Sequence, residues 1–430
     1  FQAEDGIRDV ERSRGLGDVY KRQPMELPVV EFPSYVEEMS NGFIHLFKQE
    51  RQLTHFKRLM TGYVVAEKKT IAHMNGLFTY HTNQSNLNRF VTSSDWNMEE
   101  MNRVKINMIN EVEGDGVVVL DDYVIKKYGR EIYGTDWHYD HSKGRMVFGW
   151  QITDCVLSGK GIYPLLSTVY LKKKSRWVKQ KRGFKSKIEI QMDQLTQLVD
   201  MGLCFSCVVM DVWYFCKTLT KHIEGLGKNW IAQAKSNRKV KAHGRWVSLK
   251  EFAERMINYV DFKVIQLGEE TYLMKAFTLS MKDVGKVRLL VSLNPHGNFK
   301  FYVSNRLDWN ETAIATRYSR RWDIEVWHRE SKVSYGLKDC QLRCNEGVSK
   351  HLTLSSLAVT LLEIASMLSP VYAILNKQGW IPEMKHRWVL TELVGQLISS
   401  IHRIDDKKVR KIMEGILCPY RSTMKMRIDT

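Results

Sequence analysis

The spacing of apolar residues changes near residue 113. Before it, Phe43, Leu46 and Phe47, then Phe56, Leu59 and Met60, recur at intervals of three and four, which places them on single helix faces. Asp95 stands ahead of Trp96 and a further periodic stretch, Met98 to Val112, where it can cap. Beyond Gly114 the chain turns to short apolar runs: Gly116-Val-Val-Val-Leu120, Val147 to Val156, Gly161 to Leu171, Cys204 to Met210 and Trp230 to Ala234. Helical patterns, Ile188 to Met201 and Phe215 to Leu226, fall between the later runs. Three strands, a helix, a strand, a helix and a strand predict a mixed α/β sheet with helices on its faces.

Residues 235–305 interrupt this order with strand-like pieces at Phe262 to Leu267, Tyr272 to Leu279 and Val287 to Leu293, and one helix over Leu249 to Tyr259. They read as a mostly β insertion. One long helix, Glu311 to Tyr335, and an apolar helix near 351–369 follow. The chain is then basic and helical from Arg387, with Lys407, Lys408, Arg410 and Lys411. The expected division is a helical DNA-binding domain at 24–112, the first part of a core at 113–234, the insertion at 235–305, the rest of the core at 306–375 and a basic helical region at 376–430. Residues 1–23 lack any period, resemble the translation of a sequencing adapter, and are set aside; Met25 is a plausible start.

Composition narrows the class. With 430 residues, 43% of them hydrophobic, the chain can bury more than one core. The net charge of +17 and pI of about 9.4 favour a polyanionic partner, because lysine and arginine release counterions from phosphates. Seven scattered cysteines suit a reducing compartment rather than a disulfide scaffold. Neither Cys204/Cys207 nor Cys340/Cys344 fits a zinc ribbon. No signal peptide, membrane span or glycine-rich phosphate loop is evident, so a cytoplasmic protein without ATP dependence is expected.

Asp121 and Asp211 each stand where an apolar run ends. Ligands gather at strand ends in open sheets, although strand-end aspartates also form ordinary turns. Tyr318, Arg321, Glu325 and Lys332 are spaced 3, 4 and 7 residues apart. At roughly 100° per residue they would share an arc of about 60° on one helix. A phenol, a guanidinium, a carboxylate and an ammonium on one face of a helix that is apolar elsewhere (Trp322, Ile324, Trp327, Val333) call for partners. The bland alternative is a salt-bridged surface face. Asp136, His138, Asp140 and His141 read as a polar turn before a strand, with a metal site as the lesser alternative.

The run Tyr318-Ser-Arg-Arg321-Trp-Asp-Ile-Glu325-Val-Trp-His-Arg-Glu-Ser-Lys332 resembles the Y-x2-R-x3-E-x6-K signature of the IS-four-type insertion-sequence transposases, a group of DDE transposases. Leu120-Asp-Asp-Tyr123 and Val208-Val-Met-Asp-Val-Trp-Tyr214 stand where that family carries its first and second catalytic aspartates. The resemblance, from about residue 80 to 365, implies an RNase H-like core. It also implies Asp121, Asp211 and Glu325 as catalytic residues holding Mg²⁺ or Mn²⁺, and cut-and-paste chemistry through water and then a freed 3′-OH, with a hairpin intermediate as one route. Tyr123 departs from the Thr or Ser usual there, so Asp122 remains a rival for Asp121; Glu330 is a weaker rival for Glu325. Tyr318, Arg321 and Lys332 would meet DNA phosphates. So would two basic tracts. Lys172 to Lys187 holds nine Lys/Arg and no acid, among them Lys172, Lys173, Lys174, Arg176, Lys179, Lys181 and Arg182. Lys235 to Lys250 holds six, including Arg238 and Lys239. The expected partners are double-stranded DNA, as terminal inverted repeats and target, and a second copy in a synaptic homodimer near the bacterial nucleoid. The competing readings are a nuclease of the same fold without strand transfer, a non-catalytic DNA-binding derivative, and a basic RNA-binding protein.

Overall fold

A computed structural model describes residues 26–178, 183–268, 270–294, 296–369 and 382–400. The adapter-like residues 1–23, the basic Lys179, Lys181 and Arg182, and the cluster at 407–411 lie outside these.

The N-terminal part is helical: α1 (Ser34–Met39), a 3-10 turn (Ser40–Leu46), α2 (Glu50–Val65), α3 (Ile71–Gly76), α4 (Gln84–Thr92) and α5 (Met98–Val112). The cap of α5 is Asn97, whose side chain accepts from the Glu99 and Glu100 amides. Asp95, the expected cap, pairs with Lys48 instead. Phe43, Phe56, Leu59, Met60 and Phe90 form a core closed by Leu354, Leu357, Ala358 and Leu361 of α11 (Asn345–Leu368). That helix is apolar and long enough to span a membrane, yet most of it is buried inside the protein. Lys105 of α5, itself buried, donates to the carbonyls of Pro164 and Leu165 and to the Ser356 hydroxyl, tying the helical part to strand and α11.

Among the described residues twelve strands form one sheet: β1 (Gly116–Lys126), β2 (Asp136–Asp140), β3 (Arg145–Ser158), β4 (Ile162–Val169), β5 (Phe205–Met210), β6 (Asn229–Ala234), β7 (Lys239–Ala242), β8 (Arg245–Ser248), β9 (Lys263–Leu267), β10 (Glu270–Met281), β11 (Gly285–Leu293) and β12 (Phe299–Ser304). Their order is β2-β3-β1-β5-β6-β12-β11-β10-β7-β8, with β4 also on β3 and β9 on β10. β1, β5 and β6 run parallel, whereas β3 lies antiparallel to both β1 and β4. A mixed sheet of this kind, with helices packed on its faces, is the α/β arrangement expected from the sequence. The strands expected as an insertion do not stand apart. β12 pairs with β6 and carries the sheet onward, while β7 and β8 make a hairpin turned by His243 and Gly244, both at positive φ.

Two elements differ from expectation at the site. β1 does not stop at Leu120 but runs on through Tyr123, Val124 and Ile125, paired to β3 throughout. Asp121 and Asp122 are therefore mid-strand and face opposite sides. Residues Asp136–Asp140, read as a turn, are β2. Its inward positions are polar, His138 and Asp140, and its outward ones aromatic, Trp137 and Tyr139, the reverse of the usual alternation. Val118 and Leu120 pack under α6 (Lys187–Asp200) and α7 (Lys217–Gly225). Val117 and Val119 pack under α9 (Glu311–Ser319) and α10 (Trp322–Val333). The final described helix is α12 (Pro382–Ser400).

Candidate active site

The expected helix Glu311–Tyr335 is two helices. Between α9 and α10 the backbone bonds tighten, Arg321 N–H to Tyr318 O and Asp323 N–H to Arg320 O, three residues back rather than four. The four signature residues consequently do not share one helix face. The Tyr318 hydroxyl donates to Gln233 Oε1 at 3.2 Å, and its ring packs on Tyr302 at 4.4 Å. Arg321 and Glu325 form an ion pair, and the same guanidinium lies 3.7 Å from Asp121. Lys332, farther along α10, lies 4.9 Å over the Tyr123 ring.

Asp121 and Asp211 meet because β5 ends where β1 continues. Leu120 is in register with Met210, and each aspartate is the next residue. Burial, and then the nearby Asp211 carboxylate, push Asp121 up to about 7. Burial likewise raises Asp211, whose Oδ1 accepts from the Trp213 and Tyr214 amides. Asp121, by contrast, accepts the Asp122 amide at 2.8 Å and lies 3.7 Å from the Arg321 guanidinium, which it shares with Glu325.

Asp122 is committed elsewhere. On the opposite face it accepts from Lys187 Nζ at 2.8 Å, the Tyr214 hydroxyl at 2.7 Å and Gln151 Nε2 at 2.6 Å. Lys187 opens α6, where Ser186 and Glu189 make a capping box. Glu330, the other rival, is engaged by the Ser334 hydroxyl and Arg329.

Asp154 was not anticipated. It is the register partner of Asp121 across β1 and β3, and it is fully buried. It accepts from Trp327 Nε1 of α10 at 2.7 Å and lies 3.6 Å from His328. Burial pushes it up to about 7 and holds His328 well below the usual histidine range. His328 stacks on Tyr123 at 3.9 Å, and the Tyr123 hydroxyl lies 2.9 Å from Ser331 Oγ. This network pins α10, and with it Glu325, against β1. The signal available in the sequence was a carboxylate inside the apolar run Val147 to Val156.

Asp121, Tyr139, Glu325 and Lys332 line a cleft of about 630 Å³. In the basic tracts Lys173, Lys174, Arg176, Lys185, Lys235, Lys239, Lys241, Arg245 and Lys250 are exposed. Lys172 donates to the Trp137 carbonyl, and Arg176 pairs with Glu131 at 3.2 Å. Arg238 is a tether, its guanidinium donating to Phe215 O at 2.7 Å. Trp177 is buried against Tyr133, so its role is packing.

Among the described residues no three His, Cys, Asp or Glu side chains stand together as a ready metal cluster. Glu325 is turned onto Arg321. The donor chemistry nonetheless suits a hard cation: two half-buried carboxylates that repel each other, and a third 35% exposed on the facing helix. DDE transposases generally use divalent metals.

The chain is similar to several known proteins. A family described as DDE superfamily endonuclease matches residues 43–249, and one described as Transposase DDE domain matches 191–361. A probable transposase for insertion sequence element IS701 from Microchaete diplosiphon is 26% identical over 341 residues, 73% of this chain and 83% of that protein. The Drosophila P element transposase strand transfer complex matches with a TM-score of 0.20 at 10% identity, over 51% of this chain. The match spans 48% of that transposase's chain. Two overlapping family matches that together run from residue 43 to 361, with the likeness to an insertion-sequence transposase, support reading this chain as an insertion-sequence DDE transposase.

Proposed function

We propose that this transposase cleaves DNA at the ends of its element and joins the freed ends to target DNA, with Asp121, Asp211 and Glu325 as its catalytic carboxylates. The observation that carries the assignment is the neighbouring pair Asp121 and Asp211, faced by Glu325 through the shared Arg321. Asp122 is the poorer candidate because three donors already engage it. Magnesium or manganese held by the three carboxylates would neutralise charge on the attacking and leaving oxygens of a phosphodiester.

The protein's own groups then have distinct tasks. Asp121 and Asp211 must both be ionised, which burial opposes until positive charge arrives. Glu325 must leave Arg321, and the released guanidinium is then free to take a phosphate in a two-point grip. Lys332 supplies a point charge at the far end of the cleft. Water is the first nucleophile and the freed 3′-OH the second. Tyr318 supports this from behind: its hydroxyl is held by Gln233, which favours placing Tyr302 and β6 over phosphate contact.

The run from Tyr318 to Lys332 supports placing the chain in the IS-four type. The proposed substrates are the terminal inverted repeats and target DNA, bound by a homodimer in the bacterial cytoplasm, on the nucleoid. Lys173, Lys174 and Lys239, exposed residues of the basic tracts, are the proposed phosphate contacts. The test is cleavage and strand transfer on DNA carrying the element's ends, with Mg²⁺ or Mn²⁺, alongside DNA binding. Asp121→Asn, Asp211→Asn and Glu325→Gln are expected to bind and neither cut nor join. A cutting Asp121→Asn variant would remove Asp121 from the set, and cutting without joining would reduce the activity to a nuclease.

A further inference from the structure

The hairpin of β2 and β3 presents an unusual surface. Trp137 is opposite Phe148, and Tyr139 is opposite Met146. Opposed residues in an antiparallel pair project from the same face, and that face recurs at every second residue. Counting along β3 from Met146 through Phe148, Trp150 and Ile152 leads to Asp154, the partner of Asp121. The hairpin aromatics therefore continue the sheet face that carries the carboxylates. Trp137 is 54% exposed, Tyr139 49% and Met146 49%, while His138 and Asp140 on the other side are buried. An apolar strip displayed at the expense of buried polar groups implies a ligand.

The surroundings identify its class. Tyr139 lines the same cleft as Asp121 and Glu325. The Lys172 ammonium bonds the Trp137 carbonyl, Lys126 lies 4.6 Å over the exposed Tyr128 ring, and Arg145 is exposed at the hairpin turn. The acids nearby are occupied: Asp140 by Lys143 at 3.0 Å, Asp136 by the Trp137 amide, and Glu131 by Arg176. Exposed aromatic faces amid cations, running out of a phosphodiester cleft, suit a strand that offers both phosphates and bare bases. A fully paired duplex hides its base faces and would use only the cations.

We propose that Trp137, Tyr139 and Met146 form a stacking platform for unpaired bases of the DNA strand whose phosphate enters the cleft. This rests on DNA being the substrate. The test compares the Kd of the full chain, at fixed salt, for a blunt duplex and for the same duplex ending in a short unpaired tail. The tailed DNA is expected to bind about tenfold more tightly, the effect of a good base–aromatic stack. Trp137→Ala with Met146→Ala is expected to abolish that preference and leave blunt-duplex binding nearly unchanged, whereas Trp137→Phe keeps it. Equal affinity of wild type for both DNAs, or equal weakening of both by the alanine pair, overturns the platform while the DNA reading stands. Failure to bind either DNA overturns both. Loss of self-association in sedimentation by the alanine pair, with the preference intact, would assign the strip to a second copy of the chain and also overturn the proposal.

Discussion

Asp121 and Asp211 each follow one member of a matched pair, Leu120 on β1 and Met210 on β5, so the parallel register itself brings the two carboxylates together. The arrangement is costly without a cation. A carboxyl whose folded value is raised loses stability as pH climbs from its unfolded value, near 3.9, to its folded one. For Asp121 that folded value is about 7, so at pH 8 the whole penalty is present. Asp121→Asn is therefore expected to raise the metal-free Tm at pH 8, by the equivalent of about 1 kcal/mol. Added Mg²⁺ or Mn²⁺ should raise the Tm of wild type and not of the variant, since only a ligand bound to the folded state stabilises it. A metal-free Tm that falls on substitution would argue that Asp121 is a structural acceptor.

Asp122 offers the complementary case. Its ion pair with Lys187 is largely buried, both side chains being under 16% exposed. Removing one member strands the other, along with the Tyr214 hydroxyl, at a cost of about 3–5 kcal/mol. Asp122→Ala is expected to show that loss in denaturant unfolding. Asp122→Asn keeps the shape and part of the bonding, so it should unfold closer to wild type and still cut DNA. Abolished cleavage by a well-folded Asp122→Asn would reverse the choice between the two aspartates.

The sequence disclosed the order of elements and the candidate carboxylates because both have local signals, periodicity and the run Tyr318 to Lys332. It did not disclose where β1 ends. Leu120-Asp-Asp looks like a strand terminus, but Tyr123, Val124 and Ile125 find partners in Ile152, Gln151 and Trp150, which lie far away in sequence. β2 was hidden for a related reason: His138 is inward, bonded to Gln151, so the polar residues mark the buried side. The break in the signature helix was equally illegible. No proline or glycine marks Arg320 and Arg321, and the tightening there accompanies the tertiary pairing of Arg321 with Asp121.

Trp327 joins the buried Asp154 to the helix that presents Glu325. Trp327→Phe keeps the ring packing but withdraws the donor, leaving a buried carboxyl short of one bond, a loss of about 1–3 kcal/mol. The loss should appear in denaturant unfolding. If the network positions Glu325, cleavage should also slow at saturating DNA and metal while the Kd for DNA stays the same. Unchanged turnover in a destabilised Trp327→Phe would restrict the network to a structural role.

Lys105 gives a prediction about pH that is remote from the carboxylates. Burial lowers it to about 7, against roughly 10.4 in an unfolded chain. The unfolded state thus holds more protons between these values, and stability rises with pH across the window. Its contribution is fully present only above the unfolded value, and is lost as pH falls toward 7. Lys105→Met removes this dependence while keeping most of the side-chain volume, but gives up the bonds to Pro164, Leu165 and Ser356. The stability of wild type relative to the variant should therefore increase from pH 7 to pH 9, by at most about 1.4 kcal/mol per pH unit. Comparing the two chains at each pH cancels every other titrating group. A difference that does not change with pH would mean that Lys105 keeps its charge in the fold, held by the two carbonyls it meets between α5 and β4.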